Sequence, residues 1–294
     1  MIIVKLIGGL GNQMFQYAAA RHLSHLRETP LLFDTSYIDK DPGGAYTKRE
    51  MELDAFNIQI VKATQSEIDF FDIPHSNKIT RSLQRNFPSF FKNVYAAESG
   101  SSFNKHFFKF PKNTYLEGFW QSEKYFLAIR EIILNDFTLK NKLDTEYEKY
   151  LHQIQSLNAV SLHVRRGDYV SNEFVKQHHG NLPLSYYQDA IKFLNKFQSN
   201  LDVFVFSDDI AWCRSHLNLE VNTHFVENLS GSNPHSEMYL MSKCKHHVVA
   251  NSSFSWWGAW LNTNSSKIVV APRKWYADSN LNTNDLIPKT WQIL

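Results

Sequence analysis

The stretch IIVKLIGGLGNQMFQYAAARHLSHLRETPLLFD, residues 2–34, decides the fold class of this 294-residue chain. Residues 2–7 are mostly apolar, as in a buried strand, and residues 8–12 form a glycine-rich turn. Apolar residues then recur with helical spacing over 13–25, and residues 31–34 have the pattern of a second strand. This order of elements predicts a β-α-β unit and therefore a parallel, doubly wound sheet.

The same alternation of short apolar runs and helical patterns returns in the second half of the chain. The runs that we predict as strands are 159–163, 203–206, 247–250 and 267–271. The helices predicted among them cover 183–197, 210–217 and 236–243. We therefore expect an α/β protein with two Rossmann-like domains, residues 1–155 and 156–294, that face a cleft.

The composition excludes several classes of protein. Hydrophobic residues make up 43% and charged residues 20% of the chain, which is typical of a globular protein. A formal net charge of +2 is too small to indicate nucleic-acid binding. The two cysteines, Cys213 and Cys244, have no metal-binding spacing. No run of 18 apolar residues occurs and the first residues lack the pattern of a secretory signal, so we expect a cytoplasmic protein.

Residues 78–92, KITRSLQRNFPSFFK, mix basic with aromatic side chains. The pattern is compatible with a helix on a membrane surface, so peripheral association with the inner membrane surface is one alternative. Pro88 interrupts the pattern, and we favour a helix that packs on the domain.

Charged residues follow the first strand of the second domain. His163 and Arg165 would share one face because side chains alternate along a strand, whereas Arg166 would point away or belong to the turn. An acidic SDD sequence at 207–209 ends the next strand. Open α/β sheets bind ligands at the carboxyl ends of their strands, so both segments are candidates for a ligand site. The alternative is a salt-bridged strand end in which Arg165 or Arg166 pairs with Asp168.

Two further segments have the composition of phosphate-binding sites. In GGLGNQ, residues 8–13, glycines between a strand and a helix let a ligand approach the backbone, although the spacing is not G-x-G-x-x-G. The alternative there is a tight βα turn. In NSSFSWWGAW, residues 251–260, serines at a helix start can cap the helix and donate to a phosphate. We favour a core position for its three tryptophans over a role as a sugar platform.

Asp39-Lys40-Asp41 has the D-x-D pattern by which many nucleotide-sugar enzymes hold a divalent metal. The segment lies in a polar, glycine-containing stretch, and we favour a solvated loop. The histidine pairs at 178–179 and 246–247 lack the i, i+4 spacing of a helical metal site. We predict no metal site in this chain.

Four segments together resemble the motifs of the bacterial α-1,2-fucosyltransferases, glycosyltransferase family 11. They are GGLGNQMFQYA (8–18), HVRRGDYV (163–170), FSDDIAW (206–212) and NSSFSWWGAWL (251–261). The resemblance covers essentially the whole chain. It implies a GT-B fold, GDP-fucose as the donor, inversion at C1 of the sugar and no required metal or other cofactor.

The resemblance also implies roles for single residues. Arg165 would stabilise the charge that develops on the β-phosphate through bidentate contacts. Glu237 and His163 would bind the guanine edge. Asp168 or Glu173 would be the catalytic base, and Glu173 stands where the α-1,6 relatives carry a catalytic glutamate. The remaining donor contacts that we expect are Gly9, Asn12 and Gln13 in the first domain and Asp208, Ser252, Ser253, Phe254 and Ser255 in the second.

The predicted reaction is the transfer of L-fucose to the 2-hydroxyl of a terminal β-galactoside such as lactose, in bacterial surface glycan synthesis, with the acceptor on the first domain. Three alternatives stay open. An NAD-dependent enzyme would explain the first glycine turn but not HVRRGD. A sugar-binding module could use the tryptophans but would not need an arginine-rich strand end. Another GT-B transferase would use another GDP-sugar or form another linkage.

Overall fold

The computed structural model describes residues 1–40, 49–73, 77–167, 180–227, 234–278 and 281–294. The chain divides into two compact units. Unit 1 comprises Met1–Lys140 and Asn282–Leu286, and unit 2 comprises Asn141–Leu281 and Ile287–Leu294.

Unit 1 is built on a four-stranded parallel sheet in the order β2-β1-β4-β3. Its strands are β1 Ile2–Lys5, β2 Leu31–Asp34, β3 Asn93–Ala97 and β4 Asn113–Glu117. Its helices are α1 Leu10–Arg27, α2 Gln65–Asp69, α3 Lys78–Asn86 and α4 Arg130–Asp136. The predicted β-α-β opening is confirmed, because α1 joins the parallel neighbours β1 and β2.

Burial explains why the opening stretch forms these elements. Strand β1 is central in its sheet, and Ile2, Ile3 and Val4 are fully buried. Helix α1 buries Met14, Phe15 and three consecutive alanines, and the small alanine side chains let a helix pack closely. Gly8 connects the strand to the helix with φ at +81°, a conformation that glycine adopts without strain.

Unit 2 is built on a six-stranded parallel sheet in the order β10-β9-β8-β5-β6-β7. Its strands are β5 Ala159–Val164, β6 Asp202–Ser207, β7 Asn222–Phe225, β8 His246–Val248, β9 Val269–Ala271 and β10 Gln292–Ile293. Its helices are α5 Thr145–Ser156, α6 Leu184–Asn195, α7 Ile210–His216, α8 Pro234–Lys243 and α9 Ser253–Trp260. Strands β5 and β6 are buried along their whole length, as expected for the centre of a parallel sheet.

The units divide after Lys140, not after residue 155 as the sequence suggested. Helix α5 belongs to unit 2, because its buried Tyr147 and Ile154 join a core cluster with Phe204 and Leu240. The helix has a mostly polar sequence, so its buried side chains were not apparent from the sequence.

The segment Asn282–Leu286 returns to unit 1 late in the chain. Asp285 holds it there: its carbonyl oxygen accepts from Ser122 Oγ at 2.6 Å, and its carboxylate accepts from the Phe103 amide at 2.8 Å and pairs with Lys124. These contacts make unit 1 discontinuous in sequence.

The tryptophans of α9 lie in the core, as predicted. Trp256 and Trp257 are fully buried, and Trp260 is 3% exposed. Among the helices in the described ranges, none combines the length and the apolar character that crossing a membrane requires.

Candidate active site

The ends of β5 and β6 form the centre of the candidate site. The two strands are parallel neighbours, with His163 in register with Phe206 and Val164 with Ser207. The residues that follow therefore leave the same edge of the sheet side by side. This is the carboxyl edge, where parallel α/β sheets bind their ligands.

Asp208 fixes the position of Arg165. Its Oδ2 lies 2.8 Å from Arg165 Nη1, and its Oδ1 accepts from the Arg166 amide at 2.9 Å. Both side chains of the ion pair are about a quarter exposed, at 24% and 25%. Gly167 leaves room for this arrangement, because a Cβ there would lie 2.6 Å from Asp208 Oδ2. The guanidinium is thus held in place while part of it stays accessible.

Arg166 has a structural position, as its place in the sequence suggested. Its Nε lies 3.2 Å from Asp209 Oδ2, and its guanidinium carbon lies 3.6 Å from the ring centroid of Trp212. Asp209 also caps α7 by accepting from the Trp212 amide at 3.2 Å. The arginines of this strand end therefore pair with Asp208 and Asp209. Asp168, which the alternative prediction paired with them, lies outside the described residues.

His163 is buried beneath this edge. It is 4% exposed, and its Nδ1 is one of the buried polar atoms that have no hydrogen-bond partner among the described residues. Its ring centroid lies 5.5 Å from that of Phe254 at the start of α9. Burial lowers the pKa of His163 to about 3, Asp208 opposes the shift, and Arg165 adds to it. The imidazole is therefore neutral at physiological pH.

Glu237 lies in the first turn of α8 and close enough to Asp208 to sense its charge. Burial, and secondly the negative charge of Asp208, raise the pKa of Glu237 to about 7. Such a shift means that the carboxylate lacks the solvation or the partners that an ionised group needs. Carboxylates in this condition are typical of ligand-binding and catalytic sites.

The start of α9 supplies the predicted serines, but they differ in their contacts. Ser252 caps the helix by accepting from the Phe254 amide at 3.3 Å. Ser255 is buried, and its hydroxyl accepts from the Ala250 amide at 3.1 Å and lies 3.3 Å from the Ser252 carbonyl oxygen. The Ser255 hydroxyl therefore stabilises the turn before the helix. Its role in donor binding stays a prediction. Ser253 and Phe254 are partly buried at the helix start.

Within the glycine-rich turn of unit 1, the Gln13 side chain makes structural hydrogen bonds. This side chain is fully buried; its Nε2 donates to the carbonyl oxygens of Gly8 and Glu50 at 2.9 and 2.8 Å, and its Oε1 accepts from the Glu52 amide at 3.0 Å. Gln13 thus ties the turn to a neighbouring segment and uses both N–H groups of its amide within the protein. Its role in donor binding stays a prediction. A Cβ placed on Gly9 would make ordinary van der Waals contact with Glu52 Oε2 at 3.7 Å and with the Arg49 side chain at 3.8 Å.

Asn12 lies on the partly exposed side of the same turn. Its Oδ1 accepts from Gln121 Nε2 at 2.8 Å, and Gly8 fits against it so closely that a Cβ on Gly8 would lie 2.6 Å from Asn12 Nδ2. Gly9 and Asn12 are only partly buried, so they are the predicted donor contacts of this turn that a ligand could reach directly.

The sequence analysis did not identify Glu98, which shapes the carboxyl edge of the sheet in unit 1. Glu98 follows β3 and accepts from the amides of Phe119 at 2.7 Å and Trp120 at 3.1 Å, just after β4. Burial raises the pKa of Glu98 to about 6, and the two amide hydrogen bonds oppose the shift. Gly118, with φ at +153°, allows the contact. An acidic residue directly after a strand could have indicated Glu98, but β3, the strand before it, was not predicted.

Several predicted residues cannot be placed. Asp168 and Glu173 lie outside the described residues, as does Asp41 of the D-x-D segment. Asp39 accepts from Thr35 at 2.6 Å and pairs with Lys62 at 3.2 Å on the surface. Within the described ranges, no three His, Cys, Asp or Glu side chains are grouped as metal ligands would be. The absence of a metal requirement stays a prediction.

Known proteins resemble this chain over its full length. An Escherichia coli O-antigen biosynthesis glycosyltransferase, WbnK, is 37% identical over 94% of this chain and 95% of its own length. An Escherichia coli α-1,2-colitosyltransferase is 35% identical over 99% of this chain and 98% of its own length. The mouse galactoside 2-α-L-fucosyltransferase Sec1 is 30% identical over 49% of this chain and 41% of its own length.

The fold and the family are consistent with these relatives. The structure of an Arabidopsis thaliana FUT1 mutant in complex with GDP matches 98% of this chain and 74% of its own length, with a TM-score of 0.54 and 12% identity. This match and the two parallel α/β units confirm the predicted GT-B class of fold. The family model of glycosyl transferase family 11 matches residues 53–294. The chain therefore belongs to glycosyl transferase family 11.

Proposed function

We propose that this glycosyltransferase transfers L-fucose from GDP-fucose to the 2-hydroxyl of a terminal β-galactoside, with inversion at C1 and without a metal ion. The observation that carries the proposal is the grouping of Arg165, His163 and Glu237 around Asp208 at the carboxyl edge of one parallel sheet. A guanidinium, a buried imidazole whose Nδ1 has no partner among the described residues, and a partly buried carboxylate suit a phosphorylated, hydrogen-bond-rich ligand such as GDP.

Arg165 acts on the diphosphate. When the C1–oxygen bond of the donor breaks, the electron pair stays with the β-phosphate, and a fixed guanidinium stabilises the new charge. The ion pair with Asp208 holds Arg165 before the substrate arrives, so that little reorganisation is needed during the reaction. A guanidinium also stays ionised at any working pH.

Glu237 and His163 bind the base. An ionised carboxylate can accept from N1–H and N2–H of guanine together, and these two donors would offset the burial and the Asp208 charge that disfavour the Glu237 anion. His163 stays neutral and offers Nδ1, which has no partner among the described residues, as a donor or an acceptor according to its tautomer.

The acceptor completes the reaction in a single displacement. Its 2-hydroxyl oxygen bonds to C1 on the face opposite the leaving GDP, and its proton passes to a carboxylate within hydrogen-bond reach. Asp168 and Glu173 remain the candidates for this base, with Asp34 and His235 next. Substitution by Asn or Gln at the true base should lower turnover by roughly 10²-fold or more while GDP binding persists.

Colitosyl transfer is the second candidate, because one full-length relative is an α-1,2-colitosyltransferase. Colitose is L-fucose without the 3-hydroxyl, so the two reactions share their chemistry at C1 and the same donor nucleotide suits both. They differ only in the polar contacts that a 3-hydroxyl requires.

The test is an assay with lactose and either GDP-fucose or GDP-colitose, each with and without EDTA. We expect a fucosylated product whose linkage by NMR is α-1,2, formed equally well with EDTA. A product from GDP-colitose alone would replace the proposed donor with the second candidate. Thermal stabilisation by NAD but not by GDP would overturn both candidates.

A further inference from the structure

Helix α3 and the turn after it expose apolar side chains on one face. Ile79 is 74% exposed and Leu83 is 47% exposed; they lie four residues apart and so share a side of the helix. Phe87 ends the helix at 55% exposure, and Phe90 in the following 3₁₀ turn is 85% exposed. We call these four residues the α3 outer face.

The opposite side of α3 is polar, although it is the side that packs on unit 1. The Arg81 guanidinium lies 5.0 Å from the ring centroid of Tyr95 on β3, and Gln84 Oε1 accepts from the Tyr95 amide at 3.2 Å. An ordinary surface helix buries its apolar stripe and exposes its polar side. This helix does the reverse, so its packing in unit 1 leaves the apolar stripe uncovered.

The other large hydrophobic side chains that are exposed in the described part of the chain occur singly, and single exposed apolar residues are normal. They are Leu26, Val61, Phe70, Phe119, Leu127, Phe197 and Ile293. Four within twelve residues of one element form a patch, and exposed apolar patches mark interaction sites.

The charges around the patch indicate its partner. The segment 77–92 contains Lys78, Arg81, Arg85 and Lys92 and no acidic residue, whereas the whole chain is nearly balanced, with 31 basic and 29 acidic residues. Lys78 and Lys92 are exposed at the two ends of the segment. Exposed apolar side chains flanked by basic residues match the acyl boundary and the phosphates of an anionic bilayer.

We propose that the α3 outer face docks this enzyme on an anionic membrane surface, with Ile79, Leu83, Phe87 and Phe90 in the interface and the flanking lysines against lipid phosphates. Helix α3 packs on unit 1 through its polar side, as we favoured from the sequence. The alternative, contact with a membrane surface, would then explain why its apolar side is exposed.

The test is sedimentation of the full chain with vesicles of phosphatidylcholine alone and of phosphatidylcholine with phosphatidylglycerol. We expect binding to the second kind only, weakened by salt. Phe90→Ser and Lys92→Gln should each lower binding, and the double variant should lower it roughly tenfold or more. Phe197→Ser is the matched control, because Phe197 is 62% exposed in unit 2 and should not affect binding. These positions are exposed, and unchanged melting temperatures verify that the variants fold.

Equal binding by wild type and the double variant, or no binding to anionic vesicles, would overturn the proposal. Sedimentation velocity without vesicles tests whether a second copy of the chain, and not a membrane, covers the α3 outer face. A concentration-dependent dimer that Phe90→Ser abolishes, together with no vesicle binding, would assign the face to a second copy of the chain.

Discussion

The pairing of Arg165 with Asp208 leads to a prediction at the scale of single residues. Arg165→Lys keeps the positive charge but loses the fork that makes two parallel hydrogen bonds, so kcat/KM should fall by roughly 10²–10³. Added Mg²⁺ should not restore the rate fully. The matched control is Arg214→Lys, because Arg214 forms an exposed pair with Glu227, far less buried than the Arg165 pair, and should retain full activity. Retention of activity by Arg165→Lys would remove Arg165 from the diphosphate.

Asp208→Asn tests whether the carboxylate acts by positioning Arg165. The amide oxygen can still accept from the Arg166 amide, but the charge that holds Arg165 is lost. We expect a lower kcat with a smaller change in the KM for the donor, since the guanidinium can still reach the substrate from a looser arrangement. An equal effect on both constants would instead indicate that Asp208 contacts the donor.

Glu237 should cost stability when it is ionised. Its pKa is raised from an ordinary value near 4.5 to about 7, so the carboxyl favours folding below pH 4.5 and this contribution is lost as the pH rises through 7. The loss amounts to at most about 3 kcal/mol. Glu237→Gln avoids it, so the variant should gain stability over wild type between pH 5 and pH 8. Urea unfolding at the two pH values measures this, and an unchanged difference contradicts it.

The same residue should make donor binding pH-dependent. Below pH 7 the Glu237 carboxyl must lose its proton before it can accept from guanine, so Kd should weaken by up to roughly tenfold per pH unit between 6.5 and 5. GDP-fucose is the suitable ligand, because its diphosphate does not titrate in this range. Calorimetry with Glu237→Gln should give weaker binding with a flat profile. A flat wild-type profile would place the guanine elsewhere.

At the scale of elements, the turn after β4 depends on Gly118. An alanine there is strained at φ of +153°, and its Cβ would lie 2.3 Å from Glu98 Cβ. The combined cost should be roughly 2–5 kcal/mol of unfolding free energy. Gly100→Ala is the control: φ is +74°, nothing lies within 4 Å, and only the backbone cost of roughly 1–2 kcal/mol remains. Similar melting temperatures for the two variants would mean that the turn relieves the clash with Glu98 by a small shift at little cost.

The elements differ in how well the sequence predicted them. Strands β5 and β6 are apolar runs buried on both faces, so their pattern was unambiguous. Strands β3, β7 and β10 were missed: β3 follows a segment of mixed aromatic and basic residues, and β7, Asn222–Phe225, is an edge strand with polar, partly exposed residues. Its stability comes from pairing with β6, which local sequence does not encode.

The candidate site was partly predictable because strands β5 and β6 could be recognised from the sequence. Once β5 and β6 are recognised as parallel strands, the residues after them must meet, and Arg165 and Asp208 do. The structural contacts of Gln13 and Ser255 were not foreseen, because a polar residue in a glycine- or serine-rich turn can bind a ligand or stabilise the turn itself. The structural role becomes visible only from the hydrogen bonds that the folded chain forms with these side chains.

At the scale of the whole molecule, Asp285 attaches the returning segment Asn282–Leu286 to the rest of unit 1. Asp285→Ala removes the ion pair with Lys124 and the acceptor of the partly buried Phe103 amide, and the loss of such a hydrogen bond costs about 0.5–1.5 kcal/mol. We expect faster hydrogen exchange in residues 101–125. Glu146→Ala breaks an exposed i, i+3 pair with Lys149 in unit 2 and should leave exchange unchanged. Unaltered exchange in Asp285→Ala would show that the returning segment adds little to unit 1.

The return of Asn282–Leu286 to unit 1 also affects the order in which the protein is made. A ribosome must synthesise residues 141–281 after it completes residue 140, which takes roughly 7–30 s at 5–20 residues per second. During that interval the Phe103 amide, the Ser122 hydroxyl and the Lys124 ammonium lack the partner that Asp285 supplies. The nascent N-terminal unit is therefore incomplete throughout translation of the second, and its last contacts form only after most of unit 2 has left the exit tunnel.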